Sequence, residues 1–309
     1  MRVFVTGASG WIGSAVVSEL IAADHEVVGL ARSDASAAAL TQAGAEVQLG
    51  TLDDLDVLRH AAEKSDGVIH LAFKHDIAFT GDFEGAADAD RNAVEIFGQA
   101  LAGSDWPLVI ASGVLGLSPG HEAYEEDGHV LDEARRATPP GPLARWATAE
   151  FTLSLASRGV RSSIVRLSPT CHGEGDNGFM ATLIAIAREK GVSGYIGDGS
   201  NRWPAVHRLD AAHLFRLALE KAPAGTTLHG VAEEGVKSRD IAEVIGRHLD
   251  VPVVSIAPED AEHFGFLAHF FGMDSPASSA ATREVLEWEP TQVGLIEDLD
   301  QGHYFTQPA

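Results

Sequence analysis

Three glycines near the start of the chain are the residues best placed to organise chemistry. In Thr6-Gly7-Ala8-Ser9-Gly10-Trp11-Ile12-Gly13 they recur with two residues between each pair, directly after the apolar run Val3-Phe4-Val5. A strand that turns into a helix here leaves the first helical amides without intrahelical acceptors, and such amides receive phosphate. Gly7 permits the tight turn, Gly10 lets a pyrophosphate approach the backbone, and Gly13 lets the helix lie against the strand. The spacing predicts a dinucleotide site.

The second strand indicates which dinucleotide. A chain that binds NAD places Asp or Glu at the end of this strand to hold the ribose hydroxyls. Here Val27-Val28-Gly29-Leu30 runs into Ala31-Arg32-Ser33, with alanine at the acid position and arginine after it. A guanidinium pairs with a 2′-phosphate, so NADP is expected over NAD. The alternative is that Arg32 is a solvated charge and that Ser33 or Asp34 caps the next helix.

These residues need a scaffold. Strands are expected at Arg2–Thr6, Glu26–Leu30, Glu46–Leu49, Gly67–Leu71, Pro107–Ser112 and Val160–Leu167, with helices near Trp11–Ala23, Asp34–Ala43, Asp53–Lys64, Phe83–Ala102 and Leu143–Ser157. Strands alternating with helices of this length imply βαβ units and a parallel sheet. Val3-Phe4-Val5 and Leu108-Val109-Ile110 are apolar on both faces, as strands covered on both sides should be. The fold class is therefore α/β: a Rossmann, doubly wound parallel sheet with a smaller interleaved C-terminal α/β substrate domain.

Beyond Leu167 the alternation weakens. Cys171–Gly178 and Gly197–Pro204 read as loops, Phe179–Lys190 and Leu209–Lys221 as helices, and Thr227–Val231 and Val251–Ile256 as strands. The expected division is residues 1–170 for the NADP-binding domain, with 205–230 packing back on it, and 171–204 with 231–309 for the substrate domain.

Composition narrows the partners. The 45 acids against 22 bases give a net charge of −23. Such a surface disfavours nucleic acid and anionic membranes. No segment approaches the ~20 apolar residues that span a bilayer, and a cytoplasmic chain is expected. The one cysteine, Cys171, permits no intrachain disulfide, and no zinc-type spacing occurs. The expected partner is a small-molecule substrate, and the expected assembly is a homodimer.

The glycine spacing resembles that of the short-chain dehydrogenase/reductase superfamily. The fuller likeness is to its extended branch of NAD(P)-dependent epimerase/dehydratase-like and dihydroflavonol-reductase-like proteins. Further matches are Asp66-Gly67-Val68-Ile69-His70-Leu71-Ala72, Val165-Arg166-Leu167-Ser168-Pro169-Thr170, Arg202-Trp203-Pro204-Ala205-Val206-His207-Arg208-Leu209-Asp210 and Trp288-Glu289-Pro290. By position, the resemblance implies that Gly7, Ser9, Gly10, Trp11, Ile12 and Gly13 line the pyrophosphate. It also implies that Arg32 and Ser33 meet the 2′-phosphate and that Leu71, Ala72 and Phe73 pass the adenosine ribose and nicotinamide side. The family's Asp-Leu pair beside adenine appears here as Thr51-Leu52, with Leu52 the retained half.

The superfamily's catalysts are Ser, Tyr and Lys, the last two spaced four apart on one helix face. Ser112 fits the serine role. The Tyr-x-x-x-Lys pair is missing: if Arg145 stands for lysine, the tyrosine position falls on Gly141, and if Trp146 does, on Pro142. Tyr124 has no lysine four residues on. Substitute proton carriers are His75 after the fourth strand, His172 after the sixth and His207 further on, while Arg145 could steady an oxyanion. The implied activity is NADP-dependent hydride transfer between the nicotinamide and a small carbonyl or alcohol, with a non-standard proton donor. The alternatives are a sugar-nucleotide epimerase or dehydratase, and a cofactor-binding sensor without turnover.

Overall fold

The glycine turn and the strand ends around it are carried by a seven-stranded, wholly parallel sheet. The computed structural model describes residues 1–78, 80–117, 120–127 and 142–306. The strands are β1 (Arg2–Thr6), β2 (Glu26–Ala31), β3 (Glu46–Leu49), β4 (Gly67–His70), β5 (Pro107–Gly113), β6 (Arg161–Leu167) and β10 (Thr226–Gly230), in the spatial order β10-β6-β5-β4-β1-β2-β3. The order reverses direction between β1 and β4. Ligands of open α/β sheets bind outside the carboxyl strand ends at such a switch point.

Both faces are covered, as the doubly apolar strands require. Val3 and Val5 face a core shared with α1 (Trp11–Ala22) and α8 (Arg208–Lys221), while Phe4 faces the opposite core with α3 (Leu55–Glu63), α5 (Phe83–Ala100) and α6 (Pro142–Ser154). Two shorter helices, α2 (Asp34–Ala43) and α4 (His75–Ala78), follow β2 and β4.

A third core sits beyond the carboxyl edge. Trp203, Phe264 and Phe271 fill it, enclosed by α7 (Phe179–Lys190), α9 (Ser238–Leu249) and α11 (Leu295–Asp300). Beside it lie a sheet of β7 (Thr170–His172), β9 (Arg202–His207) and β11 (Glu233–Lys237), and the pair β8 (Ser193–Ile196) and β12 (Val253–Ile256). The chain crosses between the cores more than once: α8 lies on α1, β10 extends the main sheet, and Leu286 and Trp288 from α10 (Ala280–Leu286) and its exit enter the first core. Among the described residues, no helix is long and apolar enough to cross a membrane.

Two expected loops are partly strand. Thr170–His172 pairs with Ala205–His207, but three residues are too few for a period-2 pattern to register. Arg202-Trp203-Pro204 opens β9 although proline cannot donate to a ladder. The partner strand β11 shifts register between Glu233 and Val236, opposite the stretch that holds Pro204. A bulge is a place where a strand tolerates proline.

Candidate active site at the carboxyl edge of the sheet

At the switch point, each glycine has a distinct geometric reason. Gly7 sits at φ +67°, and a Cβ there would lie 2.7 Å from the Ala72 amide nitrogen. A Cβ on Gly13 would lie 2.0 Å from the Gly7 carbonyl oxygen, so helix and turn touch there. Among the described residues, a Cβ on Gly10 meets only that same oxygen, at 3.1 Å. No side chain caps α1 at Gly10. The first amides of any helix lack an intrahelical acceptor, and such amides suit an anion. The turn is held from beneath by a buried chain: Thr6 Oγ1 is 2.7 Å from His70 Nδ1, and His70 Nε2 is 3.1 Å from Asp90 of α5. The Ala72 amide donates to the same Thr6 hydroxyl at 3.3 Å. Ser9 and Gly10 are exposed and Trp11 and Ile12 half-buried, so the cradle is open to solvent and fits a pyrophosphate.

At the end of β2, Ala31 is fully buried and Arg32 is exposed just past it. Ser33 caps α2, accepting from the Ser36 amide at 3.2 Å. Leu52 is buried. Thr51 turns its amide and hydroxyl to Asp54, whose carboxyl is held below the usual range by those bonds.

Across the switch point, the structure brings three side chains together beside Ser112. Arg145 Nη2 donates to the Ala111 carbonyl at 3.3 Å, its guanidinium lies 4.1 Å over the Phe73 ring, and that ring is 5.0 Å from His75. Stacking on an aromatic face suits a guanidinium. Arg145 comes from α6, Phe73 and His75 from the β4 exit, and Ser112 from β5. His75 is exposed as a residue yet crowded by its neighbours, and desolvation lowers its pKa, with the Arg145 cation adding to the effect. Gly141 lies outside the described residues. Tyr124 is exposed and donates to Glu122 at 2.7 Å, a bond that raises its pKa.

His172 belongs to a different cluster. It is buried, its Nδ1 lies 2.9 Å from Asp298 of α11, and its ring packs edge-on against His207 at 5.3 Å. Next to it the Gly173 amide donates to the Tyr304 hydroxyl at 3.1 Å, and that hydroxyl donates to Asp176 at 3.1 Å. Burial pushes Asp176 up to about 6, pushes the Cys171 thiol up, and lowers His207.

The sequence motifs contain several residues whose part in shaping this edge only the structure shows. Arg208 donates to the Glu174 carbonyl and to Ser14 Oγ, both at 3.2 Å, with its guanidinium 5.1 Å from the Trp11 ring. Trp11 Nε1 also reaches the Glu174 carbonyl, at 3.3 Å. The loop after β7 is thereby tied to the glycine turn. Asp210 accepts from the Thr291 and Gln292 amides at 2.9 and 3.1 Å, and its carbonyl receives Trp288 Nε1 at 3.1 Å. The late motifs Arg208-Leu209-Asp210 and Trp288-Glu289-Pro290 are thus two halves of one clamp, which their order along the chain could not show. Lys74, Asp53 and Asp76 were missed, because surface charges carry no spacing signal.

Sheet order, glycine turn and strand-end cluster together define a dinucleotide-binding fold of the extended short-chain type. The family model for the NAD dependent epimerase/dehydratase family matches residues 3–92. An uncharacterized protein of Schizosaccharomyces pombe is 47% identical over 306 residues, covering 99% of this chain and all of that one. The 2′-dehydrokanamycin reductase of Streptomyces kanamyceticus is 31% identical over 289 residues, covering 87% of this chain and 74% of that one. The solved structure of MoeE5 with UDP-glucose and NAD superposes with a TM-score of 0.74 at 20% identity, covering 99% of this chain and 98% of that one. The chain belongs to the NAD dependent epimerase/dehydratase family, within the short-chain dehydrogenase/reductases, a family with oxidoreductase relatives.

Proposed function

We propose that the protein is an NADP-dependent oxidoreductase acting on a small carbonyl or alcohol. The observation that carries the reading is the grouping of Arg145, Phe73 and His75 beside the Ala111–Ser112 strand end, on the same sheet edge as the glycine turn. Gly7, Ser9, Gly10, Trp11, Ile12 and Gly13 hold the pyrophosphate, Arg32 and Ser33 the 2′-phosphate and Leu52 the adenine, while Leu71, Ala72 and Phe73 pass the adenosine ribose and the nicotinamide side. When bound, the nicotinamide supplies or accepts the hydride. Ser112 donates a hydrogen bond to the reacting oxygen, and Arg145 favours negative charge developing there. His75 moves the proton: burial and then the Arg145 cation lower its pKa, which makes its protonated form a stronger acid. His172, locked to Asp298, supports the loop after β7, and the third core shapes the substrate side.

The test has two arms. NADPH and NADH are titrated against the wild type and Arg32→Ala. A preference for NADPH that the substitution removes supports the cofactor assignment, and equal affinities refute it. Single-turnover reduction of a carbonyl panel then compares the wild type with Ser112→Ala at saturating NADPH. A fall of roughly ten- to a thousandfold supports the assignment, judged from losses at comparable oxyanion donors. No turnover by the wild type on any carbonyl would favour a cofactor-binding sensor.

A further inference from the structure

The segment leaving β4 crosses the carboxyl edge of the sheet and is pinned on the far side by two ion pairs. Lys74 Nζ contacts both carboxylate oxygens of Asp53, at 2.7 and 2.6 Å, and Asp76 Oδ2 accepts from Arg32 Nη1 at 3.2 Å. Asp53 follows β3 and Arg32 follows β2, whereas Lys74 and Asp76 follow β4. In the order β4-β1-β2-β3, both pairs therefore span the end of β1, where the glycine turn lies.

One of the pairs uses the guanidinium assigned above to the 2′-phosphate. We propose that Asp76 is a specificity-determining residue, whose carboxylate occupies Arg32 in the free protein and is exchanged for the 2′-phosphate when NADP(H) binds. The inference rests on the reading of Arg32 given under Proposed function. The chemistry is a swap of acceptors on one donor: a carboxylate with one negative charge gives way to a phosphate that carries more charge and more acceptor oxygens. Asp76 therefore works against NADP(H) in particular. NAD(H), which has no 2′-phosphate, leaves the pair intact. With both partners largely exposed, the competition is modest, since exposed ion pairs hold their partners weakly.

The substitution Asp76→Asn tests this with little disturbance, because its amide oxygen still accepts from the Ile77 amide as the carboxylate does at 3.1 Å. Dissociation constants for NADPH and NADH are measured for the wild type, Asp76→Asn, Arg32→Ala and the double variant. Asp76→Asn is expected to tighten NADPH about two- to fivefold, the range an exposed pair allows, and to leave NADH unchanged. On the Arg32→Ala background the same substitution should have no effect on NADPH. If Arg32→Ala weakens NADPH while Asp76→Asn does nothing, the inference fails and the reading of Arg32 stands. If Arg32→Ala leaves NADPH binding unchanged, that reading fails and takes the inference with it. Equal tightening of NADPH with and without Arg32 would overturn the exchange, as would a selective loss of NADH affinity in Asp76→Asn.

Discussion

The two halves of the carboxyl edge are built on different principles. Around β1 and α1 the site is made mainly of backbone, three glycines and a helix start, supported by the side chains Thr6, His70 and Asp90 beneath it and by Trp11, Ser14 and Arg208 beside it. Around β4, β5 and α6 it is made of side chains that come from three separate segments, Phe73 and His75, Ser112, and Arg145. A backbone site depends on local conformation and tolerates almost no change of residue type. A side-chain site depends on packing, which brings Arg145 of α6 onto the Phe73 ring from 72 positions away.

The comparison breaks most sharply at Gly10. Gly10→Val should leave the fold intact, since its Cβ would meet only one backbone oxygen at 3.1 Å, while filling the space a pyrophosphate needs. Cofactor binding should weaken by roughly a hundredfold or more, with an unchanged thermal transition. Gly13→Ala is the counterpart: a Cβ 2.0 Å from the Gly7 oxygen should cost stability itself. If calorimetry shows both variants equally stable, the distinction between cradle and contact is wrong.

The side-chain half is probed by two histidines that look alike in the sequence. His75→Asn should lower turnover by about a hundredfold or more, the range for general acid–base groups, with stability preserved. His172→Leu should do the reverse. It leaves the Asp298 carboxylate buried without its nearest partner and should cost about 3 kcal/mol in denaturant unfolding, with the proton-transfer limb of the pH–rate profile unmoved. Loss of that limb in His172→Leu, with normal kinetics in His75→Asn, would exchange their roles.

A smaller expected effect is a pH dependence near the same buried pair. Asp176 titrates at about 6 when folded, above its ordinary 3.8, because burial disfavours the charged form. A raised carboxyl favours the folded state while it is protonated, so this contribution is lost as pH rises from about 4 through about 6. Asp176→Asn should therefore stabilise the protein above pH 6 by roughly 1–3 kcal/mol, and should change little below pH 4. Unfolding midpoints across that range decide it; a constant difference between wild type and variant would reject the cause.

The sequence by itself determined the Rossmann half. Val3-Phe4-Val5 and Leu108-Val109-Ile110 require a strand covered on both faces, and three glycines two residues apart admit few backbone paths, so both signals are local. The ends of β1, β3 and α2 agree with the expected bounds for the same reason. Tertiary structure decided what depends on distance along the chain. Pro204 sits in a strand because a bulge in β11 lies opposite it. Asp210 and Trp288 form one clamp across 78 residues. Arg145 reaches Phe73 and His75 only because α6 packs on the face that the β4 exit also borders. His172, equal to His75 in the sequence, is withdrawn from the edge by Asp298, a residue 126 positions away. Backbone conformation is written in neighbouring residues; the burial and pairing of a charge are set by whatever the folded chain brings beside it.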